Sequence, residues 1–88
     1  MWRGMKGFSR GRIMPLALLP DGSKGTVRMV IGGFGMRRRL RELGFTEGEE
    51  IRVLKGGGPG PVVVLIRGSR VALGRGVAMK VFVEVVEL

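Results

Sequence analysis

The amino-acid sequence predicts an all-β fold, mainly a small antiparallel β-barrel, that carries one short helix. Segments of four to seven residues alternate apolar and polar side chains, with the period of two that is typical of a half-buried strand. Seventeen glycines separate these segments and favour turns between them. Apolar residues recur at helical spacing in one stretch only, residues 36–43. Together these observations predict a bent sheet with short connections.

Five segments have the pattern of strands: residues 26–31, 50–55, 62–67, 70–73 and 81–88. An apolar segment, residues 16–19, comes before them and ends at Pro20-Asp21-Gly22, which predicts a turn. Closing a sheet of such strands into a barrel hides its edges. An SH3-like barrel is the best match, and the OB-fold, which also has five strands and a helix, is the alternative.

The segments around residue 68 predict a tight hairpin, with Gly68-Ser69 as its turn. The strand before it, VVVLIR, is apolar on both faces. Only alternate residues of a strand can face a barrel interior, so either Val62, Val64 and Ile66 or Val63 and Leu65 need cover from outside. The set that the domain leaves uncovered is a candidate surface for a partner protein or for self-association. Residues 74–79 have room for a single helical turn.

The helix is predicted from Met36, Leu40 and Leu43, which recur at positions i, i+4 and i+7 and form one apolar stripe. Its end is predicted at Gly44, because glycine readily adopts the left-handed conformation that follows a last helical residue. Phe45 then packs back on Leu40. We expect Gly22, Gly48 and Gly68 to occupy turns in the same way.

Arginines crowd the predicted start of this helix, where the helix dipole favours acidic residues instead. One interpretation is a solvated face, in which Glu42 pairs with Arg38 or Arg39 one turn earlier. The other is a docking surface for an acidic partner. The apolar stripe fixes the buried side, so Arg37, Arg38 and Arg41 are the predicted outward contacts.

Composition limits the possible functions. The net charge is +9, which favours an acidic protein, a nucleic acid or an anionic membrane face as partner. The chain has neither cysteine nor histidine, so thiolate sites and the commonest metal ligand and general base are excluded. We find no paired acid and base, and predict neither an enzyme nor a bound cofactor or metal. The absence of asparagine and glutamine favours a thermophilic source.

The first thirteen residues contain four basic residues and no acid, which predicts a flexible basic tail over residues 1–13 and a single domain over residues 14–88. A secretory signal is the alternative, because the apolar run IMPLALLP follows the basic residues, but Pro15 and Pro20 bracket that run. No segment approaches the length of a transmembrane helix.

Short motifs follow one another in a recognisable order from residue 14 to residue 86. They are Pro15-Leu16, Gly22, Val27, Arg39-Leu40, Leu43-Gly44, Gly48, the strand at residues 51–53, Gly60-Pro61, the segment VALG at residues 71–74 and Ala78. This ordered set resembles the ferrous iron transport protein A (FeoA) family; one departure is Glu47, where the family usually has proline. The resemblance implies an SH3-like barrel without enzymatic activity. It also implies a cytoplasmic accessory of the membrane ferrous-iron transporter FeoB.

Binding to RNA is the alternative function, because small basic barrels also occur on ribosomal RNA and residues 21–33 faintly resemble the KOW segment found there. RNA readers usually place aromatic residues among basic ones so that bases can stack. The aromatic residues of this chain do not cluster in a basic strand. The SH3-like domain of iron-dependent repressors is similar as well, but the chain has no room for DNA-binding helices, so DNA is not an expected partner.

Overall fold

The computed structural model describes residues 11–85. Predictions for residues 1–10 and 86–88 therefore lie outside the described part of the chain. Strands and helices follow in the order β1 (Arg12–Pro15), a 3-10 helix (Leu16–Leu18), β2 (Lys24–Val30), α1 (Phe34–Glu42), β3 (Glu50–Lys55), β4 (Val62–Ile66), β5 (Ser69–Leu73), α2 (Arg75–Ala78) and β6 (Val81–Val85). The prediction of a mainly β fold with one short helix is confirmed, and α2 is the single helical turn expected near residue 74.

All strands join one antiparallel sheet in the order β1-β6-β2-β3-β4-β5. Strands that are not neighbours in this sheet nevertheless contribute to one apolar cluster, since Val62 and Val64 of β4 and Val81 and Val83 of β6 are all fully buried in it. The sheet must therefore bend around that core. Two bulges, between Val27 and Met29 and between Val53 and Lys55, help it to bend.

The bulge in β2 corrects one prediction. Strict alternation along residues 26–31, the first strand predicted above, puts Val27, Met29 and Ile31 together on the inner face. Val27 is buried, but Arg28 is the extra residue of the bulge, so Met29 pairs with Phe82 on the outer face. Met29 is 53% exposed and Ile31 is 45% exposed. Met29 is therefore not a core residue, because one inserted residue reverses the alternation after it.

The first strand was not predicted. Arg12–Pro15 forms β1 and pairs with β6 at the sheet edge, so Arg12 and Ile13, assigned to the tail, belong to the sheet. This strand is hard to predict because it contains an arginine and a proline and has no clear alternation. Proline is tolerated in it because it is an edge strand. The apolar segment after it forms the 3-10 helix, which buries Leu16 and leaves Leu18 57% exposed.

The turn of the β4–β5 hairpin lies one residue earlier than predicted. Ile66 pairs with Ser69, so the turn consists of Arg67 and Gly68, with φ angles of 53° and 79°. Both residues of a type I′ turn need positive φ, and Arg67 accepts it as the first. Of the two apolar sets in β4, Val62, Val64 and Ile66 are buried; the outward Val63 and Leu65 are half-buried.

The loop GGGPGP, residues 56–61, is fixed by two side chains from outside it. Asp21 Oδ1 accepts hydrogen bonds from the Gly56 and Gly57 N–H groups, at 2.6 and 3.4 Å. The Arg75 guanidinium, at the start of α2, donates to the carbonyl oxygens of Gly56 and Gly60, and to that of Ala17 at 3.5 Å. These contacts tie the loop to α2 and to the 3-10 helix.

Within residues 11–85, no helix combines the length and the hydropathy that crossing a membrane would require.

Candidate partner-binding surface

Helix α1 positions the predicted partner-binding arginines, but not as the sequence suggested. It has nine residues and begins at Phe34, with Gly33 as a cap that provides no side-chain hydrogen bond. Arg37 is therefore its fourth residue, while Arg39 and Arg41 lie in the last turn, where cations suit the helix dipole. The expectation of three arginines in the first turn was wrong, because the helix starts two residues before Met36, at Phe34 and Gly35, although both are weak helix formers.

The end of α1 has two cap hydrogen bonds. The Gly44 N–H donates to Arg41 O at 3.0 Å and the Phe45 N–H donates to Leu40 O at 2.9 Å. This is the Schellman arrangement, and Gly44 has the required positive φ, 110°. Phe45 and Leu40 are both buried. Leu43, predicted to join them, is 41% exposed, so the buried stripe is narrower than the sequence suggested.

The other predicted turn glycines also have positive φ: 89° at Gly22, 92° at Gly48 and 79° at Gly68. Two of them connect strands through their backbone. The Gly22 N–H donates to Val53 O at 2.7 Å, and the Gly48 N–H donates to Val27 O at 2.8 Å. One turn precedes helix α1 in the sequence and the other follows it, and each of them joins β2 to β3.

A groove of about 340 Å³ separates α1 from the bulged part of β2. Arg37 and Arg41, one turn apart, line its helical side, and Arg28 and Met29 line its strand side. Glu47 contributes the only carboxylate to the lining. Among the described residues, no carboxylate lies within 4.0 Å of the Arg37 or Arg41 guanidinium. The groove is therefore positively charged and can accept an acidic group.

Arg38, the third predicted contact, does not line this groove. Its Nε lies 3.6 Å from Glu42 Oε2, and both side chains are more than 60% exposed. This is the i,i+4 pair expected of a solvated face. The structure thus brings Arg37 and Arg41 together and leaves Arg38 with an intramolecular partner.

Sequence reasoning missed two members of this surface. Arg28 faces the groove because it is the bulge residue, although its Nε also lies 3.4 Å from Glu84 Oε1. Met29 supplies an exposed apolar side chain at the rim of the same groove. A bulge is hard to recognise in a single sequence. The only sign of this one is that residues 28–31, RMVI, do not alternate strictly between polar and apolar side chains.

The part of the chain from residue 11 to residue 85 contains no group of three or more acidic, histidine or cysteine residues that could hold a metal ion. In the same part of the chain, Asp21 alone has a clearly shifted pKa, lowered by hydrogen bonds from Gly56 and Gly57 and by the charge of Lys55. That carboxylate is engaged with the loop, so its role is structural.

Comparison with known proteins agrees with this architecture. A family model described as the FeoA domain matches residues 14–85. A protein of Methanocaldococcus jannaschii, provisionally named Fe(2+) transport protein A, is 37% identical over 70 residues, which cover 80% of this chain and 84% of that protein.

Solved structures are similar too. A crystal structure described as iron uptake regulatory protein, FeoA, superposes with a TM-score of 0.80 at 35% identity, over 85% of this chain and 100% of that one. The Stenotrophomonas maltophilia FeoA, crystallised with zinc and described as a prokaryotic SH3 domain protein, has a TM-score of 0.72 at 39% identity, over 80% and 88% of the two chains. The SH3-like fold is therefore confirmed, and the OB-fold alternative is set aside. Both the family model and the identity to a curated relative lead to one conclusion: the chain belongs to the FeoA family.

Proposed function

We propose that this protein is a non-enzymatic accessory of ferrous iron uptake that regulates the membrane ferrous-iron transporter FeoB by direct contact from the cytoplasmic side. Family membership supports the role in iron uptake. The groove between α1 and β2 supports a mechanism by contact, because it offers two arginines that have no carboxylate partner among residues 11–85, beside an exposed Met29. Interfaces commonly combine such a basic and apolar surface with an acidic partner.

The observation that carries the proposed site is that, among residues 11–85, no carboxylate lies within 4.0 Å of the Arg37 or Arg41 guanidinium. Arg38 does not line the groove, and its charge is partly balanced by Glu42. We therefore assign the main contacts to Arg37 and Arg41, with Arg38 contributing less. Arg28 and Met29 complete the surface on the strand side.

The experiment is a binding titration between this protein and the soluble GTP-binding domain of the transporter from the same organism. The variant R37Q/R41Q should weaken binding by about tenfold or more, since each arginine contributes to charge complementarity. The matched control is R38Q/R39Q, which removes the same charge from the same helix and should retain most of the affinity. Glutamine keeps the helix propensity close to that of arginine.

Melting curves of both double variants establish that the fold is kept, and ferrous uptake in cells carrying each variant gives the physiological readout. Equal affinities for R37Q/R41Q and the unmodified protein would contradict the proposed site and leave the helix as a solvated face. The partner surface would then have to be sought on the strands, for example at Val63 and Leu65. Self-association through these two residues also stays a prediction.

The RNA-binding alternative receives no support from the aromatic residues that the structure describes. Phe45 is buried in the core, and the exposed Phe34 and half-buried Phe82 belong to different elements. Stacking of successive bases needs aromatic side chains side by side on one surface.

A further inference from the structure

The outer face of the sheet carries a row of cations that crosses four strands. Lys24 of β2 pairs in register with Arg52 of β3, Arg52 pairs with Leu65 of β4, and Leu65 pairs with Arg70 of β5. We call these four residues the basic row. Neighbouring strands lie about 4.8 Å apart, so the row extends about 14 Å across the sheet.

The neighbours of the row establish that it faces outward. A Cβ atom on Gly25 would lie 2.5 Å from the Val83 side chain, so position 25 faces the core and Lys24 faces away from it. Ile51 and Ile66 are likewise buried beside Arg52 and Leu65. The three cations are exposed and Leu65 is half-buried.

The charges of the row are not balanced within the part of the chain that the structure describes. Arg28 and Arg67 each have a carboxylate oxygen within 3.4 Å, from Glu84 and Glu49. Lys24, Arg52 and Arg70 have none within 4.0 Å. Like charges directly opposite each other on an antiparallel pair repel, so the Lys24–Arg52 pair is unfavourable in the free protein. An anion placed between them would relieve that repulsion.

A concave surface lies over the same place. Lys24, Arg52, Leu65 and Arg67 line it, together with the carboxylate of Glu50, and its volume is about 810 Å³. Arg70 extends the row beyond the groove. The arrangement therefore offers cations on either side of one apolar side chain.

We propose that the basic row binds an acidic polypeptide segment, whose carboxylates contact Lys24, Arg52 and Arg70 and whose apolar side chain contacts Leu65. A concave groove suits a chain better than a planar bilayer. The row offers no aromatic side chain on which the bases of a nucleic acid could stack. This site is separate from the arginines of α1 and does not rest on the function proposed above.

The test uses fluorescence anisotropy with a labelled peptide, Gly-Glu-Glu-Leu-Glu-Glu-Gly, at about 0.15 M salt, where distant charges are largely screened. The triple variant K24Q/R52Q/R70Q should weaken binding by about tenfold or more, because charge-assisted contacts are lost. The variant R39Q/K55Q/K80Q lowers the net charge equally, at exposed cations that line neither candidate surface, and should bind as the unmodified protein does. A peptide with glutamine in place of glutamate should not bind.

A single substitution gives an independent readout. K24E places a carboxylate opposite Arg52, so it should raise the thermal midpoint while it lowers peptide affinity. If the row were only a solvent-exposed face, K24E would raise the thermal midpoint and leave the peptide affinity unchanged.

Three results would overturn the proposal. They are the absence of peptide binding by the unmodified protein, equal weakening by the two triple variants, and tighter binding of single-stranded RNA or phosphatidylglycerol vesicles through the same three cations. The last result would assign the row to that other partner.

Discussion

Replacing Gly44 by alanine tests how helix α1 ends. Gly44 has a φ of 110° and donates the first of the two cap hydrogen bonds. A residue with a Cβ atom pays about 1–2 kcal/mol to adopt a left-handed conformation. The added Cβ would lie 3.3 Å from Arg67 Cδ and 3.5 Å from two carbons of Ile66. Arg67 is exposed and can move, so packing adds little to the backbone cost.

We therefore expect Gly44→Ala to lower the free energy of unfolding by about 1–2 kcal/mol, and Gly44→Val by more because a β-branched residue is stiffer. In a domain of this size, that loss corresponds to a fall of about 4–8 °C in Tm for each kcal/mol. Thermal and urea denaturation, followed by circular dichroism, measure both quantities.

Gly35→Ala is the matched control, because Gly35 lies near the start of the same helix. A Cβ there would meet no atom within 4 Å. Alanine is the better helix former, so this substitution should stabilise the protein by up to about 1 kcal/mol. Equal changes in the free energy of unfolding for Gly44→Ala and Gly35→Ala would contradict this prediction. They would mean that the left-handed conformation of Gly44 does not determine where the helix ends.

Three further predictions concern the glycine loop and its anchors. Gly56→Ala should be strongly destabilising in a urea titration, because its Cβ would lie 2.2 Å from Leu19 O, whereas Gly57→Ala, with no atom within 4 Å, should be nearly neutral. Arg75→Lys should cost about 1–3 kcal/mol, measured in the same way, because a lysine cannot satisfy several buried carbonyl oxygens with a planar fork. The lowered pKa of Asp21 stabilises the fold above its ordinary value of 3.8, and this contribution is lost as the pH falls through the folded-state pKa. Melting curves from pH 5 to about pH 2 should therefore fall less for Asp21→Asn than for the unmodified protein.

Local rules were sufficient where a residue and its near neighbours determine the structure. The alternation of Ile51 and Val53 with Arg52 predicted β3, and Gly44 followed by Phe45 predicted the end of α1. Both depend on contacts within a few residues, so a single sequence contains the necessary information.

Prediction was less accurate where the local structure depends on pairing between residues that are far apart in the sequence. The bulge at Arg28 forms against β6, more than fifty residues later in the chain, and it reverses the exposure of Met29. The start of α1 at Phe34 was also missed, because Phe34 and Gly35 are both weak helix formers and both are exposed. The basic row cannot be seen in the sequence at all, because Lys24, Arg52 and Arg70 become neighbours only through the register of three strand pairs.

The position of β6 also has a consequence for the timing of folding. This strand is the last described element of the chain, yet it lies between β1 and β2, which come first. During synthesis, β1 therefore cannot join the sheet until β6 has left the ribosome, and Val27 stays without its partner Val83 until then. Pairings of such long sequence separation are slow to form. The nascent chain therefore contains β1 and β2 without the strand that joins them until β6 has been synthesised.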